Sequence, residues 1–180
     1  MVSAKNKIEM GIHSFKNIFP KIDSTVYVAD GAQIIGDVEI EKDCSVWFNT
    51  VIRGDVNFIR IGERTNIQDN CVVHVTHKKF PCIIKSNVTI GHGAIIHACT
   101  IEDFVLVGMN ATILDGAIIG ANSLIAAGAV ITPGVKIPEG VLASGVPAKV
   151  IRELKKEEKE MLIQSAQNYI NYVAEYRTKS

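Results

Sequence analysis

Residues 101–143 read IEDFVLVGMNATILDGAIIGANSLIAAGAVITPGVKIPEGVLA. An aliphatic residue recurs at every sixth position, at Ile101, Val107, Ile113, Ile119, Ile125, Ile131 and Ile137, and the series ends at Ala143. Four residues after several of these stands a small side chain, as at Ala111, Ala117, Ser123 and Ala129, and glycine follows directly in Val107-Gly108 and Ile119-Gly120. A period of six matches neither the face of a helix nor the alternation of a hairpin. It matches a short strand and a tight corner, repeated. The large residue fills the interior, the small one lets the chain fold close at the corner, and glycine relaxes the backbone there. Three such strands make one triangular turn, and stacked turns share a hydrogen-bond ladder at the usual ~4.8 Å spacing. The fold class is therefore an all-β solenoid; an ordinary α/β fold would need this spacing to arise by chance.

The same period extends outward. Upstream it runs through Val28, Ile34, Ile40, Val46 and Ile52, then Ile61, Ile67 and Val73, then Ile84, Ile90 and Ile96. Three extra residues interrupt it near 58–60. Residues 76–83, THKKFPCI, interrupt it again, contain Pro81 and read as a loop protruding from a corner. Residues 1–13 read as a loose arm, 14–151 as the solenoid domain, and 152–180 as a C-terminal helix packing back on it. In that helix Leu162, Ala166, Tyr169, Val173 and Tyr176 share one face at three- and four-residue spacing.

Of the 180 residues 47% are hydrophobic and 21% charged, with basic and acidic residues equal in number. This balance argues against nucleic acid or an anionic membrane as a partner. No stretch reaches the roughly 20 apolar residues of a membrane span, and the polar start MVSAKNKIEMG lacks a signal-peptide core. A cytoplasmic protein is expected. Cys44, Cys71, Cys82 and Cys99 show no CxxC spacing and are expected to be reduced and buried.

The repeat also places the histidines. His74 follows Val73 by one and His97 follows Ile96 by one. Their interval of 23 residues is one 18-residue turn plus a five-residue insertion, which the 76–83 loop supplies. The two side chains should therefore stack on adjacent coils of one face, close enough to converge on a metal. His92 stands two after Ile90, on the preceding face, and points away from them. To join the same metal it must come from a neighbouring chain, as in a threefold ring of parallel solenoids with a heterologous contact. Three histidines leave one tetrahedral position open, as catalytic zinc requires. The plainer alternative is three unrelated polar residues at corners or in a dry interface.

The period of six resembles that of the hexapeptide-repeat proteins, which form a left-handed parallel β-helix, here followed by the C-terminal helix read above. Among these the chain resembles the gamma class of carbonic anhydrases and their relatives from carnitine and phenylacetate operons. The matching stretches are Arg53-Gly-Asp55, Ile61-Gly-x-x-Thr-Asn-Ile-Gln-Asp69, His74, Gly91-His-Gly-Ala-x-x-His97 and Val107-Gly-Met-x-Ala111. The handedness comes from this resemblance. So does the expectation of a homotrimer with zinc, or iron or cobalt, between subunits, hydrating carbon dioxide to bicarbonate. The resemblance gives Gln68 the task of orienting metal-bound solvent. It puts Arg53 and Asp55 in charge contacts between subunits, with Asp69 pairing Arg53. It sets Tyr169 and Asn171, a Tyr-x-Asn, beside the site; packing on the helix's apolar face is the plainer reading of Tyr169. The family's type enzyme has a Glu after its RxD motif and an acidic loop with a proton-shuttling Glu; here Val56 and His77-Lys-Lys-Phe80 stand in those places. A histidine can take up and release a proton, so His77 is the candidate to replace that shuttle.

Two other functions compete. Residues 145–151, GVPAKVI, also resemble the closing segment of acyl-CoA-dependent hexapeptide acyltransferases, which need one histidine base and no metal. A trimeric scaffold that keeps the metal as a staple, with weak or no catalysis, is the other. A different hydrolysis at the same zinc also stays open.

Overall fold

The computed structural model describes residues 11–178. Each triangular turn gives one short strand to each of three faces. Two faces join in one sheet of 12 strands, because the strands Gln33–Ile40 and Val51–Ile61 run round a corner from one face to the next; the third face is a sheet of 8 strands. Neighbouring coils pair in parallel, and the register stacks each aliphatic residue on its counterpart: Ile52 on Val73, Val73 on Ile96, Ile96 on Ile113 and Ile113 on Ile131. The result is a parallel β-solenoid whose core is a set of aliphatic columns. Ile34, Ile52, Ile96, Ile113 and Ile131 are fully buried, and so are the small corner residues Ala32, Ala94, Ala111 and Ala117. Each isoleucine so enclosed contributes about 1.5–3 kcal/mol relative to exposure. Many corners carry asparagine in the left-handed region, at Asn49, Asn70, Asn87, Asn110 and Asn122, where its short polar side chain tolerates positive φ better than most residues do. All four cysteines are free and buried.

Three boundaries differ from the sequence reading. The expected arm over 1–13 does not extend to its stated end. Residues 1–10 lie outside the described residues, but Ile12–His13 already pairs with Ile34 and Ile35. The three-residue insertion sits earlier than 58–60: the register runs Gly36 with Gly54 and then Val38 with Ile59. The extra residues therefore bulge between Gly54 and Ile59, and Ile59 itself is an inward, fully buried residue. The helix begins at Lys156, not 152, and runs to Thr178. Before it, Ala148–Glu153 returns antiparallel against Val141–Gly145 and occupies the open edge of the last coil.

The helix lies along the third face. Leu162, Ala166 and Val173 are its buried residues, and Tyr169 meets Trp47 edge-on with ring centroids 5.5 Å apart. Polar contacts fix its azimuth: Arg64 Nη2 donates to Gln167 Oε1 at 2.8 Å, and Arg177 Nη2 donates to the Thr25 carbonyl at 2.7 Å. Tyr176, expected on the buried face, is 45% exposed at its edge, although its ring still lies against Trp47.

Candidate metal centre

His74 and His97 are cross-strand partners on adjacent coils of the first face. Their rings lie 5.2 Å apart between centroids, and His74 Nδ1 faces His97 Nε2 at 3.1 Å. The outer nitrogen of each ring meets a carboxylate. His74 Nε2 is 3.0 Å from Asp55 Oδ1, and His97 Nδ1 is 3.0 Å from Asp115 Oδ2. Beyond them Arg53 pairs with the other oxygen of Asp55, and the Thr76 hydroxyl donates to the other oxygen of Asp115. Side chains from several coils thus form one line: Arg53, Asp55, His74, His97, Asp115, Thr76.

That line has an electrostatic consequence. An ionised carboxylate only accepts hydrogen bonds, so each aspartate draws the imidazole proton to the nitrogen facing it. Both inner nitrogens then present lone pairs to each other, and neutral rings leave nothing between them to share. A shared proton or a cation relieves that repulsion, and a carboxylate behind each imidazole is the usual support of a metal-binding histidine. The charges agree. Burial pushes His74 below its usual range, against the pull of Asp55, which favours the neutral ring. Burial raises Asp55, but hydrogen bonds from His74 and Arg53 outweigh it and hold the carboxyl below its ordinary value. Asp115 is held down likewise, burial being overcome by the bonds from Thr76 and His97.

His92 sits apart, at the corner after the third-face strand Thr89–Ile90. Its Nδ1 is 2.6 Å from Asp69 Oδ2, so Nε2 is its unclaimed nitrogen, and the side chain is 45% exposed. Its backbone N–H donates to Gln68 Oε1 at 3.2 Å, while Gln68 Nε2 donates to Asn66 Oδ1 at 3.2 Å. Gly93 completes the corner at φ +70°, where a Cβ would come within 2.3 Å of Asn110 Oδ1. Among the described residues, no three His, Cys, Asp or Glu side chains of one chain converge where they could hold a metal. The structure therefore brings together His74 and His97, and leaves His92 on another face.

The comparisons with known proteins follow this geometry. A family profile, Bacterial transferase hexapeptide (six repeats), matches residues 98–133. A probable carbonic anhydrase of Methanocaldococcus jannaschii is 58% identical over 149 residues, covering 83% of this chain and 93% of the relative. The chain belongs to the gamma carbonic anhydrase family. Gamma carbonic anhydrase 2, a mitochondrial protein of Arabidopsis thaliana, is 47% identical over 86% of this chain; the chain spans 59% of that relative's length. Among solved structures, a hexapeptide transferase family protein from Anaplasma phagocytophilum superposes with a TM-score of 0.89 at 42% identity, covering 93% of this chain and 98% of that one.

Within this chain the remaining expected residues are placed as follows. Asp69 pairs with His92, and Arg53 with Asp55, so the expected Asp69–Arg53 pair does not form within the chain. Gln68 is buried beside His92, with its amide engaged by the His92 backbone and Asn66. Tyr169 packs between Trp47 and Tyr172; burial, then the charge of Asp69, pushes its hydroxyl up to about 12. Asn171 is exposed on the helix and accepts from Gln167 Nε2 at 3.1 Å. His77 is exposed on the loop. Two members of the line, Asp115 and Thr76, were not among the expected site residues. Asp115 stands 18 residues after His97, but this turn has only 17, with Ile96 level with Ile113, so the repeat sets Leu114 beside His97 and carried no direct signal for Asp115.

Proposed function

We propose that this chain hydrates carbon dioxide reversibly to bicarbonate and a proton, at a metal held between copies of the chain in a homotrimer. The observation that carries this reading is the 3.1 Å approach of His74 Nδ1 to His97 Nε2, with a carboxylate facing the other nitrogen of each ring. These two nitrogens, with His92 Nε2 of a neighbouring copy, are the ones that would hold the metal: zinc first, with iron or cobalt as other occupants. The donor set fits, since imidazoles suit all three metals. When bound, such a metal acidifies a water molecule to near neutral pH and so supplies a nucleophile for carbon dioxide.

The protein's own residues do the rest. Asp55 and Asp115 hold the two ring protons away from the metal side. Asp69 fixes the His92 ring, and Gln68 fixes the backbone beneath it. Val72 and Ile95 are cross-strand neighbours on the outward side of the strands bearing His74 and His97 and are 40% and 42% exposed, while Met109, next to the corner that holds His92, is 55% exposed. Apolar residues flanking both halves support burial of the site against another copy. Tyr169 stays protonated at neutral pH and serves the packing of the helix. His77, on the exposed loop, is proposed to pass the product proton to solvent. A cytoplasmic setting is proposed too; no helix among the described residues is long and apolar enough to cross a membrane.

The test is stopped-flow hydration of carbon dioxide, with metal content measured on the same sample purified without chelator. Activity at about one metal per chain, lost in His92→Ala, is expected for a three-histidine open site. A metal-loaded but inactive trimer moves the function to a scaffold or another hydrolysis. Absence of metal together with acyl-CoA turnover replaces the reading with acyl transfer. In weak buffer His77→Ala should slow turnover; an unchanged rate removes His77 from the proton path.

A further inference from the structure

The loop after His74 does more than interrupt the repeat. Thr76 begins it, and the Thr76 hydroxyl donates to Asp115, whose other oxygen accepts from His97 Nδ1 at 3.0 Å. Thr76 is itself fixed. Its N–H donates to the Phe80 carbonyl at 3.0 Å, closing a small antiparallel bridge across the loop, and its carbonyl accepts from Asn57 Nδ2 at 3.2 Å. The far side of the loop grips the same corner. The Phe80 ring covers Gly116, where an added Cβ would stand 3.2 Å from a ring carbon, at a φ of +68°. The loop thus holds Asp115–Gly116 at two points, by a hydroxyl on the carboxylate and by an aromatic ring on the glycine.

We propose that Thr76 is a positioning residue for the metal centre: it orients the Asp115 carboxylate, which fixes the proton of His97 on Nδ1 and so keeps Nε2 free as a ligand. The assignment rests on the reading of His97 as a metal ligand. Its chemical basis is simple. A carboxylate with one oxygen already occupied by Thr76 has one orientation left for the imidazole, and the imidazole N–H has one acceptor. Without Thr76 the carboxylate rotates and the His97 ring gains access to its other tautomer. Supports of this kind commonly alter metal affinity about 10–100-fold when removed. His74 has a corresponding partner in Arg53–Asp55, so each histidine is fixed by a two-residue support from a different part of the chain.

The experiment uses the full chain and zinc as the probe. Zinc affinity is measured by chelator competition for the parent, Thr76→Val, Thr76→Ser, Asp115→Asn and the double variant Thr76→Val/Asp115→Asn. The His97 tautomer is read by nitrogen-15 NMR on the chelator-treated protein. Thr76→Val should weaken zinc binding about tenfold and mix the tautomers, and Thr76→Ser, which keeps the hydroxyl, should restore both. The double variant should be no worse than Asp115→Asn, because Thr76 acts through that carboxylate. Parent-like zinc affinity and tautomer in Thr76→Val overturn the proposal, as does a double variant whose losses add. If the parent binds no zinc, the metal reading fails instead. The tautomer then decides alone: a shift in Thr76→Val reversed by Thr76→Ser upholds the positioning role, and no shift overturns it.

Discussion

The two halves of the candidate site are built in opposite ways. The His74–His97 half lies across stacked coils, closed at both ends by carboxylates with their own partners. Its side chains are only 18% and 29% exposed. The His92 half is a single corner, held by Asp69 and Gln68, with nearly half of its side chain exposed. One half is closed by hydrogen bonds at both ends, with two ring nitrogens facing each other 3.1 Å apart at its centre. The other leaves His92 Nε2 without a partner among the described residues, on a side chain 45% exposed. A parallel solenoid readily stacks like residues on one face but holds different faces apart. A three-histidine site spread over two faces is therefore assembled between copies or not at all.

Mutation separates these alternatives. The largest effect is expected from His74→Ala, His97→Ala and His92→Ala, each of which should abolish both bound metal and carbon dioxide hydration. Equal losses on the two faces support a shared centre; metal content retained in His92→Ala would reduce it to the closed half. Next is Ile96→Ala, which opens a cavity directly beneath His97 and should destabilise the fold by about 2–5 kcal/mol in urea unfolding. The same solenoid supports both halves, so the melting transition should stay single. A smaller effect is expected from Gln68→Ala, which leaves the His92 N–H without its acceptor. It should lower zinc affinity about tenfold with little change in unfolding midpoint, a loss confined to the corner half.

The smallest effect tests the helix that covers the third face, on which the corner half is built. Glu158 accepts from the Lys155 N–H at 2.8 Å at the helix start and pairs with both terminal nitrogens of Arg152. The bond from Arg152 is the main cause that pulls its carboxyl down from 4.5 to about 2. A depressed carboxylate stabilises the fold above its ordinary range and loses that contribution as pH falls through its folded value. The parent's melting temperature should therefore drop between pH 4.5 and about 2 more steeply than that of Glu158→Gln. Parallel curves would remove this cap from the account.

The architecture was legible because it depends on a covalent count. A period of six fixes which residues point inward, and Ile52, Val73, Ile96 and Ile113 stack as that count requires. It also located His74 and His97 as partners and put His92 on another face. What the count missed lies where the period breaks. The insertion between Gly54 and Ile59 carries Asp55 to His74, and the 76–83 loop carries Thr76 to Asp115. Insertions have no register of their own, so their contacts are set by packing between coils, which a single sequence does not display. Asp115 lay one residue outside the count, because the turn from Ile96 to Ile113 has 17 residues and sets Leu114 level with His97, and an aspartate two after a hexad position looks like any solvated corner. The helix start was misplaced for a related reason: residues 148–153 carry no alternation, and their strand is imposed by the open edge of the last coil.

One measurement bears most directly on the shared centre. His92→Ala and His97→Ala chains, each inactive alone, are unfolded, mixed in equal amounts and refolded together, and carbon dioxide hydration is recorded. If the centre joins two copies, a His92→Ala chain still offers His74 and His97, and a His97→Ala chain still offers His92. Random head-to-tail pairing then restores about a quarter of the interfaces, and activity should return to about that fraction of the parent refolded in the same way. No recovery, from mixtures shown to contain both chains in one assembly, would contradict a site shared between subunits.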